Sequence, residues 1–168
     1  MPTIEVNGTT LAYEDTGGDG QAVVFTHASL DRTVFAAQVA RFGRAYRVVT
    51  YDHRADADTD TLAEDLAALI EALDLGPSHV VGNGSVALRL VARRPELLRS
   101  AAILSSSADE ESVLGELVGV TVPLLVLSGE DGRELSQRIA DTAANAHHVN
   151  GRPETVNTLL AEHFEATT

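Results

Sequence analysis

The sequence predicts a three-layer α/β/α domain, with a mostly parallel sheet and an antiparallel hairpin at its N-terminal edge. Three observations carry this. Short apolar runs alternate with longer stretches of helical periodicity, the pattern of strands joined by crossover helices. An Asn-Gly pair near the N-terminus sits between two alternating segments, where a two-residue hairpin turn demands residues that tolerate positive φ. The length of 168 residues suits one core of ordinary size, so 1–168 reads as a single domain.

In chain order, Ile4-Glu5-Val6-Asn7-Gly8-Thr9-Thr10-Leu11-Ala12-Tyr13 supplies the hairpin. After Gly17-Gly18-Asp19-Gly20, apolar runs at 22–26, 48–51, 79–81, 101–104 and 124–127 are each too short for a stable helix and read as buried parallel strands. The clearest helix is 61–73, with Leu62, Leu66, Leu69, Ile70 and Leu73 on one face, a capping box from Thr61 and Glu64, and a stop at Gly76-Pro77. Further helices are expected at 33–42, 86–93, 110–118, 134–144 and 153–164, the last with Pro153 in a tolerated first-turn position. No strand is visible between Ala144 and His147.

Composition narrows the function. A formal charge of −13 lacks the basic patch that a nucleic-acid backbone or an anionic membrane would need. With no cysteine there is no thiolate metal site and no thiol nucleophile. The opening Met1-Pro2-Thr3-Ile4-Glu5 has neither the basic nor the apolar region of a leader, and the apolar stretches are far shorter than a membrane span. A soluble, cytoplasmic protein is expected, with a small-molecule substrate or ligand as its partner. Oligomeric state is not legible.

Four stretches in order, Val24-Phe25-Thr26-His27-Ala28, Tyr51-Asp52-His53-Arg54-Ala55-Asp56, His79-Val80-Val81-Gly82-Asn83-Gly84-Ser85 and Leu125-Val126-Leu127-Ser128-Gly129-Glu130-Asp131, together with Arg152-Pro153-Glu154-Thr155-Val156-Asn157, resemble landmarks of the α/β-hydrolase fold. The resemblance runs from about Ile4 to Phe164. It implies a serine hydrolase with serine, acid and histidine in that chain order, and with the serine on a tight G-x-S-x-G turn between strand and helix. It also implies a core without the lid commonly inserted after the sixth strand, since only 108–121 separates two core strands.

The turn itself departs from the pattern. Matched on the preceding strand, the nucleophile position falls on Gly84. Matched as small-x-Ser-x-small, Ser85 is the nucleophile, with Asn83 and Ala87 in the glycine places. In a third match Gly84-Ser85 is the small pair that follows the usual serine, and the turn is shortened. Ser85 equally suits the N-cap of the next helix. The resemblance assigns the base to His147 or His148 and the acid to Asp131, with Asp109 as an alternative acid. It places oxyanion and pocket positions at His27, Ala28, Gly84 and Val86, although Ala28 stands where the family has glycine. His163 reads as a packed or helix-edge residue, and His53 with Asp52 as loop-shaping. No cofactor and no metal are expected, because His27, His53, His147 and His148 lack helical ligand spacing.

Overall fold

The computed structural model describes residues 2–26, 35–82, 85–104, 115–128, 133–150 and 156–167, and gives the backbone alone for 85, 128, 133–136, 147, 148 and 150. Strands are β1 (Thr3–Val6), β2 (Thr9–Asp15), β3 (Ala22–Thr26), β4 (Arg47–Tyr51), β5 (Ser78–Gly82), β6 (Leu98–Ile103), β7 (Leu124–Ser128) and β8 (Ala146–Asn150). Helices are α1 (Ala36–Phe42), α2 (Thr59–Ala72), α3 (Ser85–Arg93), α4 (Arg133–Thr142) and α5 (Val156–Ala166).

The eight strands form one sheet in the order β1-β2-β4-β3-β5-β6-β7-β8. Asn7 at φ 48° and Gly8 at φ 79° make the hairpin turn, and Val6 faces Thr9 across it. β2 also runs antiparallel to β4, and every later pairing is parallel. The chain steps from β3 to β4 on one side and then returns to β5 on the other. That reversal is a topological switch point, outside whose strand ends open α/β sheets commonly bind ligands.

Alternation along the strands feeds two cores. Val24, Val49, Val80, Ala101 and Val126 join Leu66, Leu69, Ile70, Leu88, Leu90 and Ile139, so α2, α3 and α4 cover one face. Val23, Phe25, Val48, Val81 and Ala102 join Phe42, Leu160 and Phe164, so α1 and α5 cover the other. Each fully buried aliphatic side chain of this kind contributes about 2 kcal/mol of transfer free energy.

Several boundaries differ from the sequence expectation. α2 starts at Thr59, two residues before the expected Thr61, because Asp58 is its cap: the Asp58 carboxylate accepts the Thr61 backbone N–H at 2.7 Å. Asp74 at φ 53° and Gly76 at φ 67° then turn the chain out of the helix. Of the helix expected at 110–118, residues 115–117 form a single 3-10 turn and 110–114 lie outside the described residues, as does Pro153. The main correction is β8: residues 146–150 pair with β7, so a strand exists where none was visible.

Candidate active site

The C-terminal ends of β3 and β5 meet at the switch point. Thr26, last in β3, lies in register with Gly82, last in β5. Both are buried, as is Ala87 in the first turn of α3. Space at Gly82 is tight: a Cβ there would stand 2.6 Å from Thr26 Cγ2, 3.0 Å from Ala87 Cβ and 3.2 Å from the Thr26 carbonyl oxygen. Only glycine fits. The chain therefore enters the turn between β5 and α3 pressed against β3, which is the close approach that the first glycine of a nucleophile turn provides.

Thr26 is held from the other side. Its Oγ1 lies 2.9 Å from the Tyr51 hydroxyl at the end of β4, a buried hydrogen bond. Burial pushes the Tyr51 phenol well above its ordinary range, more than its bond to Thr26 pulls it back, so it remains protonated and able to donate. Beyond Tyr51, Arg54 grips the buried Asp65 of α2 through two hydrogen bonds, Nε to Oδ2 at 2.6 Å and Nη2 to Oδ1 at 2.8 Å. Asn7 adds a third at 3.1 Å, tying the hairpin turn, the loop after β4 and α2 together. His53 belongs to this loop, its Nδ1 bonded to the Arg54 carbonyl at 2.9 Å.

The expected site residues distribute unevenly. Ser85 is the first residue of α3, and Val86 is buried in the core beneath that helix. A helix start leaves its first backbone N–H groups without intrahelical acceptors, so the place is suited to stabilising negative charge. His147 and His148 lie inside β8, paired with Leu125 and Val126, and not in the loop that precedes the last helix. One register row runs Thr26, Gly82, Ile103, Val126, His148. His148 thus stands three strand spacings from Gly82, roughly 14 Å along the sheet. His27, Ala28, Gly84, Asp109 and Asp131 lie outside the described residues.

His163 is buried, with Nε2 2.9 Å from the Ala101 carbonyl oxygen. Among the described residues no group of His, Asp and Glu has the arrangement of a metal site. Sequence reasoning missed Thr26, Tyr51 and the Arg54–Asp65–Asn7 node. The partners in each lie on different elements and meet only in the fold, and the adjacency of Tyr51 to the Asp52-His53-Arg54 loop was the one available signal.

The sheet order with its switch point between β3 and β5, the crowded glycine at the end of β5 and the helix that follows define a doubly wound α/β fold. Comparison with known proteins shows which fold this is. No family model matches the chain. A Mycobacterium tuberculosis protein described as a non-heme bromoperoxidase is 36% identical over 109 aligned residues, which take in 57% of this chain and 42% of that protein, so the match spans less than half of that relative. A Caulobacter segnis protein described as a carbamate hydrolase is 27% identical over 203 aligned positions, covering 99% of this chain and 75% of that one. Among solved structures, the enol-lactonase of Burkholderia xenovorans superposes with a TM-score of 0.81 at 19% identity, covering 98% of both chains. The chain has the α/β-hydrolase fold. Among the described residues no helix is long and apolar enough to cross a membrane.

Proposed function

We propose that this chain is a lidless, single-domain serine hydrolase acting in the cytoplasm on small ester-type substrates. The observation that carries the reading is the junction at Gly82: β5 ends there with no room for a side chain against Thr26 and Ala87, and α3 begins three residues on, at Ser85. Ser85 Oγ attacks the substrate carbonyl, and His147 or His148 takes the hydroxyl proton and delivers it to the departing alcohol. Asp131, or Asp109 in its place, orients the imidazole. The N–H groups of Val86 and Ala28 face the oxyanion, Gly84 gives the turn its room, and His27 borders the pocket. Water then enters and attacks the acyl carbonyl, giving a proton to the same histidine, which passes it to Ser85 Oγ as the acyl–oxygen bond breaks and the acid leaves. The names of the matched proteins, a carbamate hydrolase and an enol-lactonase among them, agree with a small polar carbonyl substrate.

The test is steady-state hydrolysis of short activated esters together with labelling by a serine-reactive phosphonate. Turnover that disappears in Ser85→Ala, with the label on Ser85, is the expected outcome. An unlabelled Ser85 and no hydrolysis would remove the reading.

One observation favours a second reading, a non-hydrolytic ligand-binding member of the fold. His148 is placed inside β8, roughly 14 Å from Gly82 by strand spacing, whereas a general base must come within hydrogen-bond reach of the nucleophile. A thermal-shift screen that finds ligands binding Ser85→Ala as well as the unaltered chain, without ester turnover, supports this second reading.

A further inference from the structure

We propose that the Thr26–Tyr51 hydroxyl pair is a positioning device for the turn after β5, holding Thr26 in the one rotamer that seats Gly82. The proposal rests on the hydrolytic reading for its catalytic consequence and on the geometry alone for its structural one. Thr26 has two branches at Cβ, and they do different things. Oγ1 is bonded to Tyr51 at 2.9 Å, while Cγ2 faces Gly82, 2.6 Å from where a Cβ would stand. A threonine in a strand has few χ1 choices, and the bond to Tyr51 selects among them. Rotating Thr26 would turn a different substituent toward Gly82 and shift the backbone that leads into Ser85.

The place of this pair gives it reach. Thr26 is the residue before His27-Ala28, where one oxyanion donor is proposed, and is in register with the residue that starts the nucleophile turn. Ala87, which crowds the same Cβ position at Gly82 as Thr26 does, belongs to the helix whose Val86 N–H is the other proposed donor. Donor, nucleophile and second donor are therefore all anchored within a few residues of one threonine whose orientation a buried phenol fixes. Thr26 and Tyr51 are argued as positioning residues, not catalytic ones: both are buried and act through Gly82.

Three variants separate the hydroxyl from the bulk. Thr26→Val keeps the shape and loses the bond, Tyr51→Phe removes the other partner, and Thr26→Ser keeps the hydroxyl. Thr26→Val and Tyr51→Phe should each lower kcat by about tenfold with KM within about twofold, and the double variant should be no worse than either single one. Thr26→Ser, which keeps the bond to Tyr51 but loses the methyl against Gly82, should lose less of kcat than Thr26→Val. In parallel, amide hydrogen exchange at Val86 and Ala87 should quicken in Thr26→Val and Tyr51→Phe and not in Thr26→Ser. Unchanged exchange in both hydroxyl-deleting variants, or a Thr26→Ser variant that falls as far as Thr26→Val, would overturn the proposal. If the unaltered chain hydrolyses no ester, the hydrolytic reading fails by itself, and the exchange measurement still decides the positioning.

Discussion

At Gly82 the constraint is volume, and it converts into a stability prediction. Adding one methyl forces Thr26, Ala87 or the β3 backbone to move, and overpacking of this kind destabilises by about 1–3 kcal/mol. Gly82→Ala should therefore lower the urea midpoint, and Thr26→Ser, which deletes the nearest offending carbon, should recover about half of the loss. No recovery would place the strain elsewhere. His79 makes a second case at the other end of β5. It is fully buried, with Nε2 2.8 Å from Gln21 Oε1 and Nδ1 2.7 Å from Ser100 Oγ, so Nε2 carries the proton and Nδ1 accepts from the serine. Burial, reinforced by Arg99 and His163, pulls its pKa down to about 4 from 6.5. The unfolded chain thus takes up the proton first as pH falls, and the stability present above pH 6.5 is lost progressively toward pH 4, by on the order of 3 kcal/mol. His79→Gln should flatten that part of the urea-midpoint profile, and an unaltered slope would contradict the assignment. Neither residue's role was legible beforehand, since the sequence marks His79 as a strand residue but places Gln21 and Ser100 far from it along the chain.

Among the elements, legibility followed the hydrophobic signal. β3, β5 and β7 were readable because strands covered on both faces become continuous apolar runs, and these three are buried along their described lengths. β8 was not: Ala146-His147-His148-Val149-Asn150 offers neither a run nor a clean alternation. It ends the sheet order, so pairing with β7 defines it more than side-chain burial does. α2 was found by its apolar face, but its start was misplaced because Thr61 with Glu64 imitates a capping box while Asp58 does the capping. That distinction is measurable. Thr61 donates its backbone N–H to Asp58, and Thr61→Val retains that group, whereas Asp58→Ala removes the acceptor. Asp58→Ala should lower Tm by about 3 °C and Thr61→Val by less. A Thr61→Val loss equal to or above that of Asp58→Ala would restore Thr61 as the cap.

For the molecule as a whole, the order of strands and helices in the chain was enough to anticipate a layered, mostly parallel sheet with a hairpin edge, and the sheet order with its reversal at β3 carries that through. The charge of −13 agrees with a small-molecule partner and not a polyanion. The site was less legible because it is made where loops meet. The order of landmarks points to the C-terminal ends of the central strands, but which residue of 82–85 acts is set by the connection between Gly82 and α3, not by the pattern of runs. The most direct measurement is rapid-mixing release of p-nitrophenolate from p-nitrophenyl acetate at substrate excess, for the unaltered chain and Ser85→Ala. The account predicts a burst approaching one equivalent per chain, followed by slower turnover, with the acetyl group found on the peptide containing Ser85 and no burst in Ser85→Ala. Absence of a burst from the unaltered chain, or an equal burst from Ser85→Ala, would contradict it.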